Sequence, residues 1–154
     1  MTDSDTAPGP AAPAAAGRLG LTIKRAEQTL IARKTQALRE FDLTVPQYSV
    51  LLLLSGSSGM SAAQLARECM VTPQTMSTVL ANLEKHGLIA RSSSELHQKV
   101  VVNRATEAGQ ALVRRADRAA LRVEGALSGE FAPDELALFE SFLERAVRVL
   151  GELA

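Results

Sequence analysis

The sequence predicts a mainly α-helical chain with one small β-hairpin, and three observations carry that reading. Apolar residues recur at steps of three and four through most of residues 18–86 and 106–153, the period of a one-sided helix. Thr44, Ser61, Thr72 and Thr106 each stand where a helix would begin, as hydroxyl caps. Between these segments, Leu88–Arg91 and Val100–Val102 flank a polar stretch, the pattern of two short strands around a turn.

Composition bounds the possibilities. The chain has 154 residues, 46% of them apolar, enough for one core or a small domain with an oligomerisation element. Aromatic residues are 3% and Trp is absent, so Ala, Leu and Val build the core. Formal net charge is zero, but it is unevenly spread. Residues 61–105 carry Arg67, Lys85, Arg91, Lys99 and Arg104 against Glu68, Glu84 and Glu95. Residues 106–154 carry six basic against nine acidic side chains. An anionic partner would favour the middle. One cysteine, Cys69, excludes an internal disulfide and suits a reducing compartment. No apolar run nears the ~20 residues that span a bilayer, and no signal peptide is visible. A soluble, cytoplasmic protein is expected.

Residues 1–17 are rich in Pro, Ala and Gly without a large apolar side chain, and a disordered tail is expected. A helix follows over 18–41, with Leu19, Ile23, Ala26, Leu30, Ala37, Leu38 and Phe41 on its apolar side. Thr44-x-x-Gln47 is a capping box with Pro46 in the first turn. The run from Tyr48 to Leu54 is almost wholly apolar, predicting a helix buried all round. Ser61-x-x-Gln64 opens a short helix with Leu65 and Ala66 inward. Thr72-Pro73 opens another, which Gly87 stops after His86. After the hairpin, Thr106-x-x-Gly109 begins a long helix to about Leu127, and a last helix follows Pro133. In that helix Leu136, Phe139, Leu143, Ala146, Leu150 and Leu153 form a heptad seam, two and a half heptads long. It suits packing within a helical dimer, together with Leu19 and Ile23 of the first helix.

Two short helices, a tight turn and a hairpin make a winged helix-turn-helix. At ~100° per residue, Met76, Val79, Leu80 and Leu83 of the second helix point inward. Gln74, Thr78, Ala81 and Lys85 then centre the outer face, flanked by Thr75 and Asn82. That face lacks acidic and large apolar residues, as a helix lying in the major groove requires. Gln and Asn can pair with adenine, and Thr can bond a base edge or touch a thymine methyl. Thr72 and the free N–H groups of the first turn can hold a phosphate. Arg91, Gln98 and Lys99 on the hairpin extend the expected contact to double-stranded DNA.

Several stretches together resemble the MarR family of bacterial regulators. They are Leu43-Thr44-x-x-Gln47-Tyr48-x-Val50-Leu51, Ala63-x-Leu65-Ala66 and Thr72-Pro73-Gln74-Thr75-Met76-Ser77. Leu83-Glu84-x-x-Gly87-Leu88-Ile89-x-Arg91 and Thr106-Glu107-Ala108-Gly109 complete them, over roughly residues 19–153. The resemblance implies a homodimer with interlocked terminal helices and two winged lobes straddling DNA. It implies a repressor or activator relieved by a small molecule, often an aromatic anion, seated between the dimer helices and the DNA-binding lobe. One departure concerns the wing. Where the family carries Asp-Arg-Arg, this chain reads His97-Gln98-Lys99, so the usual wing contacts do not carry over. Lys99 supplies a point charge where Arg would bind phosphate bidentately.

The expected organisation is a tail at 1–17, a dimerisation helix at 18–41, a winged lobe at 42–105 and a helical dimerisation region at 106–154. The expected function is a sequence-specific regulator, acting as a repressor on a near-palindromic operator, without cofactor or metal. Two alternatives stay open: a winged helix that binds protein without reading DNA, and a regulator that senses redox state through Cys69. Catalysis has little support. His86, His97 and Cys69 form no local triad, and Ser55–Gly59 lacks the Lys-Ser/Thr ending of a phosphate loop. Two His and one Cys, scattered, are a poor zinc set.

Overall fold

The computed structural model describes residues 17–94 and 99–153. Of the expected tail only Gly17 falls among them, and Gln98 and His97 lie outside them. Six α-helices and one hairpin follow in order: α1 Leu19–Leu38, α2 Val45–Ser55, α3 Ala62–Glu68, α4 Pro73–Lys85, β1 Ile89–Ser93, β2 Val101–Ala105, α5 Glu107–Ser128 and α6 Pro133–Gly151.

The cap residues place the helix starts. Thr44 and Ser61 each close a full capping box with Gln47 and Gln64, satisfying two otherwise orphan N–H groups at each end. Thr72 accepts from the Thr75 N–H, and Thr106 from the Gly109 N–H. Thr106 also donates to the Gly87 carbonyl at 2.7 Å, which joins α5 to the end of α4.

The turns share one construction. After α3, Met70 turns left-handed with φ 52°; its N–H bonds the Arg67 carbonyl, and the Val71 N–H reaches back to Ala66. After α4, Gly87 with φ 69° repeats this, Gly87 bonding Glu84 and Leu88 bonding Leu83. Both are Schellman closures, with an apolar residue following the left-handed one. The 3-10 turn Arg39–Phe41 ends in the same way, at Asp42 with φ 52° and Leu43 bonding Leu38. Gly supplies this conformation freely; Asp42 and Met70 adopt it at a steric cost.

The core of the lobe gathers Leu38, Val50, Leu51, Leu54, Leu65, Met76, Leu80, Leu83, Ile89 and Val113. Each such side chain gains about 1.5–3 kcal/mol on leaving water. Gly109 lets α5 approach this lobe: a Cβ there would stand 2.0 Å from the Leu88 carbonyl oxygen.

Several expectations are corrected. The first helix is shorter than 18–41, its last turn tightening into the 3-10 segment. Within one chain only Leu38 of α1 is buried, and Leu19, Ile23 and Ala26 face outward, as residues of an expected dimer helix would. Nor is α2 buried all round. Tyr48, Val50, Leu51 and Leu54 face the core while Leu52 is exposed, because the helix is packed over only part of its circumference. The strands run further than the apolar residues did, pairing Ile89 with Ala105 through Ser93 with Val101. Backbone pairing of an exposed ribbon does not need apolar side chains on both faces. Met60 adds a bridge to Asn103 on the other edge. No described helix is long and apolar enough to cross a membrane.

Candidate nucleic-acid interface

Helix α4 is anchored as its period requires, with Met76, Val79, Leu80 and Leu83 buried. Thr72, Gln74, Thr75, Thr78, Asn82 and Lys85 are all exposed, so the structure brings these six expected residues onto one outward surface. Arg91 and Lys99 are also exposed, on β1 and just before β2.

Local bonding changes what several of them offer. The Thr72 hydroxyl accepts the Thr75 N–H at 3.1 Å and donates to Thr75 Oγ1 at 3.0 Å. It is committed to its own helix. Pro73 has no N–H and that of Thr75 is capped, which leaves the Gln74 N–H as the anion donor of the first turn. Thr78 donates to the Gln74 carbonyl at 3.3 Å and keeps its methyl and lone pairs outward. Arg91 reaches Glu84 on α4 at 3.5 Å, tying the wing to the helix. Such an exposed pair is worth under about 1 kcal/mol, and a phosphate competes with it readily. Among the described residues, Lys85 and Lys99 form no ion pair.

Asn82 is held from outside its helix. Gln47 Nε2 donates to Asn82 Oδ1 at 2.7 Å. Sequence reasoning treated Gln47 only as a cap; its side-chain amide has a second end, and the packing of α2 beside α4 brings that end to Asn82. Arg104 was likewise counted only as charge. Its guanidinium donates to the Ser58 carbonyl at 2.7 Å and to Ser92 Oγ at 2.8 Å, fastening the loop before α3 to the wing. Asn103 is fully buried and donates to the Met60 carbonyl at 3.0 Å, supporting the same edge.

Cys69 caps the end of α3 and is partly buried against the core. Burial pushes its thiol above the usual range, and the Glu68 carboxylate adds to this; both disfavour the reactive thiolate. His86 Nδ1 lies 2.8 Å from the Asn82 carbonyl, at the end of α4. Among the described residues no group of three or more His, Cys, Asp or Glu is placed to hold a metal.

Tyr48 donates to Asp117 on α5, seating the lobe on a long helix, and Lys34 on α1 pairs with Glu124 on α5, joining two long helices to each other. Beyond them, α6 has no buried residue. Leu136 and Ala146 are half-buried, whereas Phe139, Leu143, Leu150 and Leu153 are exposed, as are Leu19 and Ile23 of α1. Leu121, Leu138, Phe142 and Val147 are exposed too. They fall outside the seam read from the sequence, because the apolar surface is wider than a two-in-seven stripe.

Comparison with known proteins agrees with this architecture. The MarR family profile matches residues 41–99. The transcriptional repressor Rv2887 of Mycobacterium tuberculosis is 33% identical over 127 residues, 82% of this chain and 91% of its own length. The crystal structure of Rv2887 with p-aminosalicylic acid superposes with a TM-score of 0.67 at 32% identity, over 84% of this chain and 98% of that one. Two more distant structures share the fold. BpsR of Bordetella bronchiseptica, whose DNA binding 6-hydroxynicotinic acid regulates, gives a TM-score of 0.80 at 23% identity, covering 90% and 98% of the two chains. MepR of S. aureus, in a DNA complex, gives 0.80 at 21% identity, covering 86% and 98%. This chain is a transcriptional regulator and not an enzyme, and it belongs to the MarR family.

Proposed function

We propose that the protein is a homodimeric repressor that reads a near-palindromic operator with α4 and is released by a small aromatic ligand. The observation that carries the reading is the outer face of α4. Its centre, Gln74, Thr78, Ala81 and Lys85, holds no acidic or large apolar residue; the flanking carboxylate Glu84 is paired with Arg91, and a buried inner face anchors the helix. Helices of this kind enter the major groove with base-reading side chains at their N-terminal part. Lys85, Arg91 and Lys99 supply positive charge at its margins.

Dimerisation accounts for the bare apolar surface of α1 and α6. Exposed contiguous apolar patches mark interaction sites, and a two-fold dimer reads two half-sites ~10 bp apart. Residues 18–41 and 106–154 would form the dimer region and 42–105 the reading lobe, in a cytoplasmic protein. The aromatic ligand rests on the relationship to Rv2887, which was crystallised with p-aminosalicylic acid. A gel shift and footprint on the DNA flanking the coding region test the proposal. A protected inverted repeat supports it. Absence of any protected site, or a site without internal symmetry, overturns it.

A further inference from the structure

We infer that Gln47, outside the reading helix, sets the hydrogen-bonding polarity that Asn82 presents to DNA, turning its N–H donors outward and disfavouring the two-point pairing with adenine. The inference rests on the proposal that α4 reads base edges.

The chain of constraint begins at a backbone group that cannot be reversed. The Thr44 N–H can only donate, and it donates to Gln47 Oε1 at 2.9 Å. That contact fixes which end of the Gln47 amide is oxygen. The other end, Nε2, is then a donor, and it meets Asn82 at 2.7 Å. A donor requires an acceptor opposite, so the Asn82 atom there is Oδ1. Nδ2 of Asn82 is left for the exposed side of α4. The orientation of one amide is thus relayed to a second, and it is anchored in the capping box of a different helix.

Adenine recognition by Asn uses both ends of the amide, oxygen toward N6 and nitrogen toward N7. With Oδ1 turned to Gln47 and one of its lone pairs taken, Asn82 presents its N–H groups foremost. The bases that suit it best present acceptors without an adjacent donor: guanine through O6 and N7, or thymine through O4, whereas adenine sets the N6 donor beside N7. Gln47 is therefore a positioning residue, setting specificity without touching a base.

Gln47→Glu tests this, because Glu keeps the Thr-x-x-Glu form of the capping box. One carboxylate oxygen still accepts from Thr44. The other now faces Asn82 as an acceptor, which turns Nδ2 inward and Oδ1 outward. Asn82→Asp presents an acceptor outward by a second route, while still accepting from Gln47. Thermal melting establishes that each variant is folded, and binding-site selection from a random duplex library reads the preference. Wild type should favour guanine or thymine at one position of each half-site. Both variants should favour cytosine or adenine there, by about tenfold in relative enrichment, with the rest of the motif unchanged. A uniform loss of affinity from the added charge would leave that ratio unaffected. If folded Gln47→Glu selects the wild-type motif, the relay is wrong while base reading stands. If wild type enriches no motif, base reading itself fails and this inference falls with it.

Discussion

The phenol of Tyr48 on α2 donates a 2.6 Å hydrogen bond to Oδ1 of Asp117 on α5, joining the winged lobe to a long helix. Tyr48 is the single tyrosine of a chain without tryptophan, so its ionisation can be followed alone. Burial foremost, then the bond to Asp117 and the charges of Asp117 and Glu124, hold its hydroxyl far above the ordinary tyrosine value. A raised folded-state pKa favours the protonated form. The resulting stability is complete below the unfolded value near 10 and is lost progressively as pH rises above it. Tyrosinate absorbance should therefore appear only together with loss of helical circular dichroism. Tyr48→Phe should cost about 1–3 kcal/mol near neutral pH, by stranding a half-buried carboxylate, and should remove part of the alkaline decline. Ionisation at the free-tyrosine value in the folded protein would contradict the contact.

The exposed apolar face of α6 gives the second prediction. Leu143 and Leu150 are 40% and 63% exposed in one chain and should be covered in a dimer. Leu143→Glu or Leu150→Glu should shift sedimentation equilibrium toward monomer or unfold the protein. Wild type remaining monomeric at micromolar concentration would contradict the dimer.

Met70 gives the third. It stands left-handed in the turn between α3 and α4, almost fully exposed at 91%. Met70→Gly should stabilise the fold by up to about 1 kcal/mol by relieving that conformation, and Met70→Ala should not. Urea midpoints distinguish them. Gly109→Ala should act oppositely, costing about 1–3 kcal/mol, since its Cβ meets a backbone carbonyl rather than a flexible side chain.

Much of this was legible in the sequence, for identifiable reasons. The caps Thr44, Ser61, Thr72 and Thr106 are local chemistry, and all four mark helix starts in the structure. The inward set Met76, Val79, Leu80 and Leu83 follows from helical period, and all four are buried. The turn at Gly87 announced itself because glycine signals left-handed backbone. The turns at Asp42 and Met70 did not: Asp favours that conformation only modestly and Met not at all. What Asn82 and Arg104 bond to depends on residues 35 and 46 positions away. No local pattern specifies contacts of that range.

Fluorescence anisotropy on operator and random duplexes, across a salt series, asks directly whether α4 reads bases while the wing only holds the backbone. Gln74→Ala should leave the salt slope unchanged and narrow the preference for operator, since a good base contact discriminates by ~1–3 kcal/mol. Lys99→Ala should weaken both duplexes together and flatten the slope of log affinity against log salt by up to ~2 for a symmetric dimer. Operator preference that survives Gln74→Ala intact, or that shifts with Lys99→Ala, would contradict the account.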